Sequence, residues 1–188
     1  MQACCARIEM LGTQRGKPAH QSGIAMLEVL ITIVILAFGA LGLASLQLTS
    51  MKYNKESAGR SKATLLAVEL SDRMRANRQG VVAASYSRNE GYTAALADVP
   101  ASPGCGSGGT ECNSTQLAAL DISDWLTDVA AALPSGTGAI VPIANNYAGY
   151  NIVVMWVEKS LLDAGGTDAT CPAPLVVGVR CLATPFIP

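Results

Sequence analysis

Histidine is nearly absent from this 188-residue chain, whose one histidine is His20. A Ser-His-Asp or Cys-His catalytic system, and any metal site that contains histidine, would depend on that residue. His20 lies in a basic segment, residues 1–23, that precedes a long hydrophobic run. If this segment is removed, the remaining chain has no histidine. We therefore expect no enzymatic activity, no metal site and no cofactor.

Charge is also scarce, because charged residues make up 14% of the chain and the formal net charge is -1. A net charge this close to zero does not indicate the basic surface that nucleic-acid binding needs, so we expect no nucleic-acid partner. The small net charge combines unlike parts. Residues 1–23 carry three basic residues and one acidic residue, whereas the remainder carries 10 basic and 13 acidic residues. The first segment is thus basic and the body mildly acidic.

The chain does contain one long hydrophobic run, Ile24 to Leu46, with Glu28 as its single charge. At about 1.5 Å per residue, a helix of this length covers about 35 Å, enough to cross a bilayer core. The hydrophobic part of a secretory signal is shorter, about 7–15 residues, so we predict that the run is retained. Basic residues precede it, and the positive-inside rule therefore keeps residues 1–23 in the cytoplasm and exports the rest.

Glu28 is the unusual residue of this run. A carboxylate within an apolar helix costs up to a few kcal/mol and usually marks a functional position. The alternative is an interfacial charge near the end of the span, solvated by lipid headgroups. Physical arguments alone leave both interpretations open.

The residues from Gly23 to Leu30, GIAMLEVL, resemble the type IV prepilin motif, in which a glycine precedes a hydrophobic helix with glutamate at its fifth position. The resemblance implies that a prepilin peptidase/N-methyltransferase cuts after Gly23 and methylates the amine of Ile24. It also implies that Glu28 meets the N-terminal amine of a neighbouring subunit during assembly. Pairing would offset the cost of placing each charge in lipid.

Two features depart from the usual prepilin pattern. Ile24 stands where phenylalanine is usual, and the nearest basic residues lie further back, at Arg15 and Lys17. Cleavage after Gly23 is still expected. The leader is also long, so Met10 is an alternative start to Met1.

Beyond the run, the chain continues to Gly80 without proline, and apolar residues recur at three- and four-residue spacing (Ala63, Leu66, Leu70 and Met74). This spacing predicts an amphipathic helix. We predict one long helix from Ile24 to about Asn77, which Asn77 and Gly80 stop. Its predicted parts are a membrane-spanning or filament-core segment, 24–46, and an amphipathic continuation, 47–78. Residues 79–188 are predicted to form a periplasmic globular domain.

Residues 81–120 are predicted to be rich in loops, followed by a short amphipathic helix in the sequence DISDWLTDVAAALPSG, which begins at Asp121. Strands are predicted at 138–143, 150–158 and 175–182. The middle one is apolar on both faces and is therefore placed at the centre of the sheet. The expected fold is α+β and type IV pilin-like: a long N-terminal helix, membrane-spanning in its first half, packed on a small antiparallel β-sheet domain.

Two local motifs in the loop-rich region are interpreted as accidental. Gly104, Gly106 and Gly109 formally match G-x-G-x-x-G, but no strand is expected before them and no helix behind them, so we reject nucleotide binding. Asn113-Ser114-Thr115 formally matches a glycosylation site.

Four cysteines follow the hydrophobic run: Cys105, Cys112, Cys171 and Cys181. In an exported domain they suggest disulfides, and four cysteines allow three connectivities. We favour Cys105–Cys112 and Cys171–Cys181, because each pair brackets a short turn-rich stretch. No C-x-x-C spacing is present among them, which disfavours a zinc or redox site.

Four tracts resemble the type IV pilus modification protein PilV family of minor pilins: GLASLQ, RSKATLLAVELSDRMRAN, DISDWLTDVAAALPSGTG and NIVVMWVE. The resemblance implies a low-abundance subunit that primes or modifies pilus assembly, with other minor pilins and the major pilin as partners. Pilus-dependent adhesion or twitching motility would depend on it. The implied localisation is the inner membrane, as a single-pass protein with a periplasmic C-terminus, and then the pilus at the cell surface.

Two other functions remain open. A pseudopilin of type II secretion would share the leader and the helix. Alternatively, the exported domain is an adhesin or DNA-binding module carried on a pilus. The second alternative would require a local basic patch, for which the candidates are Arg73, Arg75, Arg78 and Arg88, although these also fit a solvated helix end.

Overall fold

The computed structural model describes residues 24–92, 99–106, 111–143 and 149–188. The predicted leader, including Gly23 and His20, lies outside the described residues. The elements in chain order are α1 (Ile24–Ala76), α2 (Arg78–Val82), α3 (Ser114–Ala132), β1 (Thr137–Pro142), β2 (Tyr150–Val157), α4 (Lys159–Asp163) and β3 (Val179–Phe186). The three strands form one antiparallel sheet in the order β1-β2-β3.

The chain divides into two compact units, Met1–Thr49 and Ser50–Pro188. In the first unit, the described residues are the N-terminal part of α1, and their side chains from Met26 onward are exposed. In the second unit, the C-terminal part of α1 packs on the sheet and on α3. This arrangement confirms the predicted α+β, type IV pilin-like fold.

The amphipathic pattern of α1 has the predicted consequence. All four apolar residues at the predicted spacing are buried, from 0% exposed at Leu70 to 8% at Leu66. Two ion pairs at helical spacing lie on the same helix, with Arg73 Nη2 2.6 Å from Glu69 Oε1 and Arg75 Nη1 2.7 Å from Asp72 Oδ1. The helix ends at Ala76, within a residue of the prediction.

The central position of β2 is confirmed, because it pairs with β1 on one side and with β3 on the other, and both of its faces are covered. Tyr150, Ile152, Val154 and Trp156 lie on the face that joins α1 and α3 in the main hydrophobic cluster. Val153 and Met155 lie on the opposite face, in a second cluster with Tyr92, Val179 and Cys181. A strand buried on both faces explains the nearly continuous apolar sequence of this segment.

Trp125 of α3 occupies the centre of the main cluster. Its side chain is fully buried, and its indole Nε1 donates a hydrogen bond to the carbonyl of Leu66 at 2.9 Å. On the β1 side, the ring fills the space above Gly138, where any Cβ would overlap the indole. Trp125 therefore joins α1, α3 and β1 at one point.

Two element boundaries differ from the prediction. Helix α3 begins at Ser114 instead of Asp121, so part of the predicted loop region is helical. Strand β3 runs from Val179 to Phe186 instead of 175–182, because Gly178, at φ 79°, forms a turn that interrupts the apolar sequence. Helices α2 and α4 were not predicted. Gly80 does not stop α1, since it lies inside α2, where its N–H binds the side chain of Asn77 at 3.2 Å.

Candidate functional site

The largest exposed apolar surface of the described residues belongs to the N-terminal part of α1. Among these residues, α1 alone is long and apolar enough, by length and composition, to cross a membrane; its most apolar 18-residue window has a mean hydropathy of 2.6 and none of it is buried. Side chains remain as exposed as 81% at Met26 and 71% at Phe38. Contiguous apolar surface of this size marks a contact with lipid or with other proteins.

Glu28 lies in the second turn of α1, and its side chain is exposed. It is the only charged residue between Ile24 and Met51. Helix α1 begins at Ile24, the residue that the prepilin motif makes the mature N-terminus. The side chain of Ile24 and the cleavage position Gly23 lie outside what the structure describes, so their processing stays a prediction.

Two threonines of this segment form their side-chain hydrogen bonds within α1 itself. The hydroxyl of Thr32 donates to the carbonyl of Val29 at 2.8 Å, and that of Thr49 donates to the carbonyl of Ser45 at 3.0 Å. Such bonds satisfy each hydroxyl within the helix itself. Glu28 is therefore the one side chain of this segment whose charge needs a partner in an apolar environment.

The structure pairs the four cysteines in the way that the sequence favours. Cys105 is bonded to Cys112 and Cys171 to Cys181, with Cα–Cα distances of 5.3 and 5.2 Å. The second pair joins the loop before β3 to the strand itself and contributes to the second hydrophobic cluster. Each bond closes a short loop and, in the loop-entropy account, contributes about 2–3 kcal/mol.

Peptide mapping without reduction is expected to recover these two pairs. A Glu-specific protease can cut after Glu111, between Cys105 and Cys112, and trypsin can cut after Arg180, between Cys171 and Cys181. After digestion with both enzymes, each pair should join two peptides that separate on reduction. A peptide that links Cys105 or Cys112 to Cys171 or Cys181 would contradict the assignment.

A buried ion-pair network, which the sequence analysis missed, supports the second disulfide loop. Glu158, 5% exposed, accepts hydrogen bonds from Arg180 Nε at 2.8 Å and from Arg180 Nη2 at 3.1 Å. Arg180 also lies 3.4 Å from Asp168, whose carboxylate accepts hydrogen bonds from Thr170 and from the N–H of Cys181. No sequence spacing signals this network, because its members lie on different elements.

The same contacts set the protonation of the two carboxyls. Hydrogen bonds from Arg180 lower the pKa of Glu158 and outweigh the burial that would raise it. Burial alone would raise the pKa of Asp168, but hydrogen bonds from Thr170 and Cys181 and the charge of Arg180 leave it lowered. A carboxyl whose pKa is lowered in the folded state stabilises the fold at pH values above its ordinary, unfolded-state pKa. This stabilisation is lost as the pH falls through the folded-state pKa.

Glu158→Gln is expected to reduce the free energy of unfolding by about 1–3 kcal/mol at neutral pH, because it removes a charge-assisted pair. The difference from wild type should shrink as the pH falls below 4.5, the ordinary glutamate pKa. Urea unfolding of the full chain in detergent, at neutral and at stepwise acidic pH, measures both. Asp72→Asn removes an exposed pair with Arg75 and serves as control, with less than about 0.5 kcal/mol expected. A difference that is constant with pH would contradict this assignment.

A second buried network joins α1, α2 and α3. The hydroxyl of Tyr86 donates to the carboxylate of Asp121, and the amide of Asn77 donates to Tyr86 Oη at 3.2 Å and to the carbonyl of Ser114 at 2.7 Å. Burial raises the pKa of Asp121, and the hydrogen bond from Tyr86 acts in the opposite direction. The raised pKa makes this carboxyl a small stability cost at neutral pH that acidification relieves.

The arginines that could form a nucleic-acid patch are largely engaged with carboxylates. Arg73 lies within 2.6–3.8 Å of Glu69, Asp124 and Asp128. Arg75 binds Asp72, and Arg88 lies 2.6 Å from Glu90. These ion pairs disfavour a basic binding surface and favour the interpretation as a charged helix end.

The two motifs interpreted as accidental can be compared with the structure, and Asn113 of the formal glycosylation motif has a structural role. Asn113 caps α3: its side-chain oxygen accepts a hydrogen bond from the N–H of Gln116 at 2.8 Å, and Gln116 Oε1 accepts one from the N–H of Asn113 at 3.1 Å. Asparagine followed three residues later by glutamine is the sequence signal of this capping box, which was not predicted. The expectation that no helix follows the glycines was wrong, since α3 begins at Ser114. The other reason for rejecting nucleotide binding still holds, because no strand lies in 99–106. The Cys105–Cys112 disulfide also closes this loop.

Possible ligand sites are limited within the described ranges. No group of three or more histidine, cysteine, aspartate or glutamate residues there could hold a metal ion. All four cysteines that could have supplied thiolates are bonded to each other. The described residues offer a large exposed apolar surface on α1 as the candidate contact site.

Comparison with known proteins agrees with this arrangement. Residues 45–123 match the family model described as Tt1218-like, "Type IV pilin Tt1218". The matched range contains the part of α1 that packs on the sheet, all of α2 and the first half of α3. No curated protein and no solved structure matches the chain. The family match supports the type IV pilin class and, with it, a role in a pilus.

Proposed function

We propose that this chain is a minor pilin: a membrane-anchored subunit that is cut after Gly23, enters a type IV pilus and primes or modifies its assembly. One observation carries the proposal. The N-terminal half of α1 is an uninterrupted apolar surface with a single carboxylate, at the fifth residue from Ile24. The match of residues 45–123 to a type IV pilin family supports the pilin class on which the proposal depends.

This surface requires two successive environments. Before assembly, the bilayer covers it, with residues 1–23 in the cytoplasm and the folded domain in the periplasm. After assembly, other pilins must cover it, since so large an apolar surface is unstable in water. The partners are therefore the inner membrane, the prepilin peptidase/N-methyltransferase, the major pilin and other minor pilins. The PilV-like tracts favour the minor role.

Glu28 supplies specificity to assembly. The N-terminal amine of an incoming subunit and the carboxylate of Glu28 are each unfavourable in an apolar environment and offset one another when paired. Apolar contacts along α1 are non-directional, so this pair would fix the position of one subunit against the next. Glycine at positions 39 and 42 leaves space for a close helix, with no atom within 4 Å of where a Cβ would lie.

The proposal assigns no catalytic role. Without the leader the chain has no histidine, and the buried carboxyls Asp121 and Glu158 are engaged by Tyr86 and Arg180. These contacts join elements of the fold. The folded domain is proposed to act through its surface, as part of the filament.

Intact-mass analysis of the membrane-extracted protein tests the processing step. The mass should correspond to residues 24–188, with two disulfides and one added methyl group that fragmentation places on Ile24. Translation from Met10 would give the same mature protein. Gly23→Val serves as the matched control and should retain the leader. A mature N-terminus elsewhere, for example near Ala44, would contradict the proposal.

A further inference from the structure

The basic residues of the exported part are concentrated directly after the hydrophobic run. Residues 52–62 contain four basic side chains and one acidic side chain, whereas residues 63–188 contain six basic and eleven acidic ones. By the positive-inside rule alone, these four basic residues would outweigh the three in residues 1–23 and favour a cytoplasmic position. The prepilin motif and the two disulfides of this unit favour export instead, so the cluster needs another explanation. The basic members are Lys52, Lys55, Arg60 and Lys62.

The structure separates these four residues into two pairs. Lys62 Nζ donates to the carbonyl of Ala132, at the end of α3, at 3.4 Å. Arg60 is exposed, and its charge contributes, after that of Arg180, to the lowered pKa of Glu158. Lys62 and Arg60 therefore both interact with groups of the folded domain. Lys52 and Lys55 are exposed and form no ion pair with the described residues.

Tyr53 lies between Lys52 and Lys55 in sequence and is 67% exposed. Tyrosine is enriched at membrane interfaces, where its ring contacts acyl chains and its hydroxyl contacts water or headgroups. Long lysine side chains reach from the edge of an apolar segment towards phosphate groups. Leu48 and Met51, two large apolar residues between the end of the run and this group, are exposed as well.

We propose that Lys52, Tyr53 and Lys55 form a binding surface for the phosphate groups of anionic phospholipids in the leaflet that faces the folded domain. This inference rests on the membrane anchoring in the proposed function. The bound headgroups would hold the subunit at a defined depth before assembly, and release of those headgroups would accompany its transfer into a filament.

Anionic lipid fits this surface better than the acidic domain of a second subunit. The surface directly follows the apolar run in sequence, so a span that crosses the bilayer brings it to the headgroup layer. An aromatic ring beside two ammonium groups is the composition of an interfacial anchor. A protein partner would instead be expected to engage Arg60 and Lys62 as well, and Lys62 already donates to the carbonyl of Ala132.

The test measures lipid preference with the full mature chain in nonionic detergent micelles. Native mass spectrometry records how many molecules of phosphatidylglycerol or phosphatidylcholine remain bound over a titration. Wild type should prefer phosphatidylglycerol, and Lys52→Gln with Lys55→Gln should weaken that binding by roughly 25-fold, about fivefold per lysine. Added salt should reduce the preference. Arg60→Gln with Lys62→Gln removes the same charge and should retain most of it.

Equal preference for the two lipids in wild type, or an equal loss in both double variants, would overturn the proposal. So would retained phosphatidylglycerol binding in the Lys52/Lys55 variant combined with its failure to join a second subunit, since the surface would then bind protein. The assay needs no filament. A lipid preference in a protein that never enters pili would therefore support this inference while contradicting the proposed function.

Discussion

Replacement of Trp125 by alanine is expected to lower the free energy of unfolding by about 3–5 kcal/mol, the range for deletion of a large buried aromatic side chain. The ring is fully buried where α1, α3 and β1 meet, and Gly138 leaves no side chain that could move into the space. The substitution also removes the hydrogen bond from Nε1 to the carbonyl of Leu66. A loss of this size is a large fraction of the stability of a typical domain.

Two variants separate the parts of this effect. Trp125→Phe keeps most of the ring and loses the N–H, and should cost about half as much or less. Tyr53→Ala removes an aromatic residue that is 67% exposed and should change stability by less than about 0.5 kcal/mol. Urea unfolding of the full chain in detergent, followed by circular dichroism with the disulfides intact, gives the values. A Trp125→Ala protein as stable as Tyr53→Ala would refute the packing described for the core.

Glu28→Ala is expected to leave processing and membrane insertion intact and to remove most of the protein from pili. The peptidase motif retains Gly23 and the apolar run, and insertion should be unharmed because a charge leaves the span. Assembly differs, since the amine of a neighbouring subunit would enter the apolar filament interior without its partner. Breaking a buried pair from one side costs about 3–5 kcal/mol, enough to shift a weakly held subunit out of the filament.

The measurement is the ratio of Glu28→Ala protein in sheared pili to that in inner membranes, relative to wild type. Glu56→Ala is the matched control, because Glu56 is the next carboxylate along α1 and lies beyond the apolar run. Its ratio should equal that of wild type. An unchanged ratio for Glu28→Ala would show that Glu28 is an interfacial charge, and the pairing mechanism would have to be abandoned.

The long helix and the central strand could be predicted because each has a continuous sequence signal. The apolar run continues without proline into residues spaced three and four apart, and one face of α1 is buried as that spacing requires. The sequence of β2 is apolar at successive positions, which only a strand covered on both faces needs. The disulfide pairs followed from the short separations of the cysteines.

The first residues of α3 and β3 were predicted incorrectly, because each is set by a single residue that the hydrophobic pattern does not include. Asn113 was treated as part of a chance motif, yet its side chain caps the helix and so moves the start of α3 to Ser114. Gly178 adopts a left-handed conformation that delays β3, and the strand then continues through Pro185, which an edge strand tolerates. The buried pair of Glu158 and Arg180 lies on separate elements and could not be inferred from spacing.

The most direct test of a pilin function is the location of the wild-type protein in cells that make pili. Mass spectrometry should find the mature chain, beginning at Ile24, in filaments sheared from the surface, at a small fraction of the major pilin. The filament-bound protein should disappear when the major pilin is deleted, while the membrane pool persists. A chain that stays in the inner membrane and is absent from sheared pili, while secretion instead depends on it, would contradict the account and favour a pseudopilin.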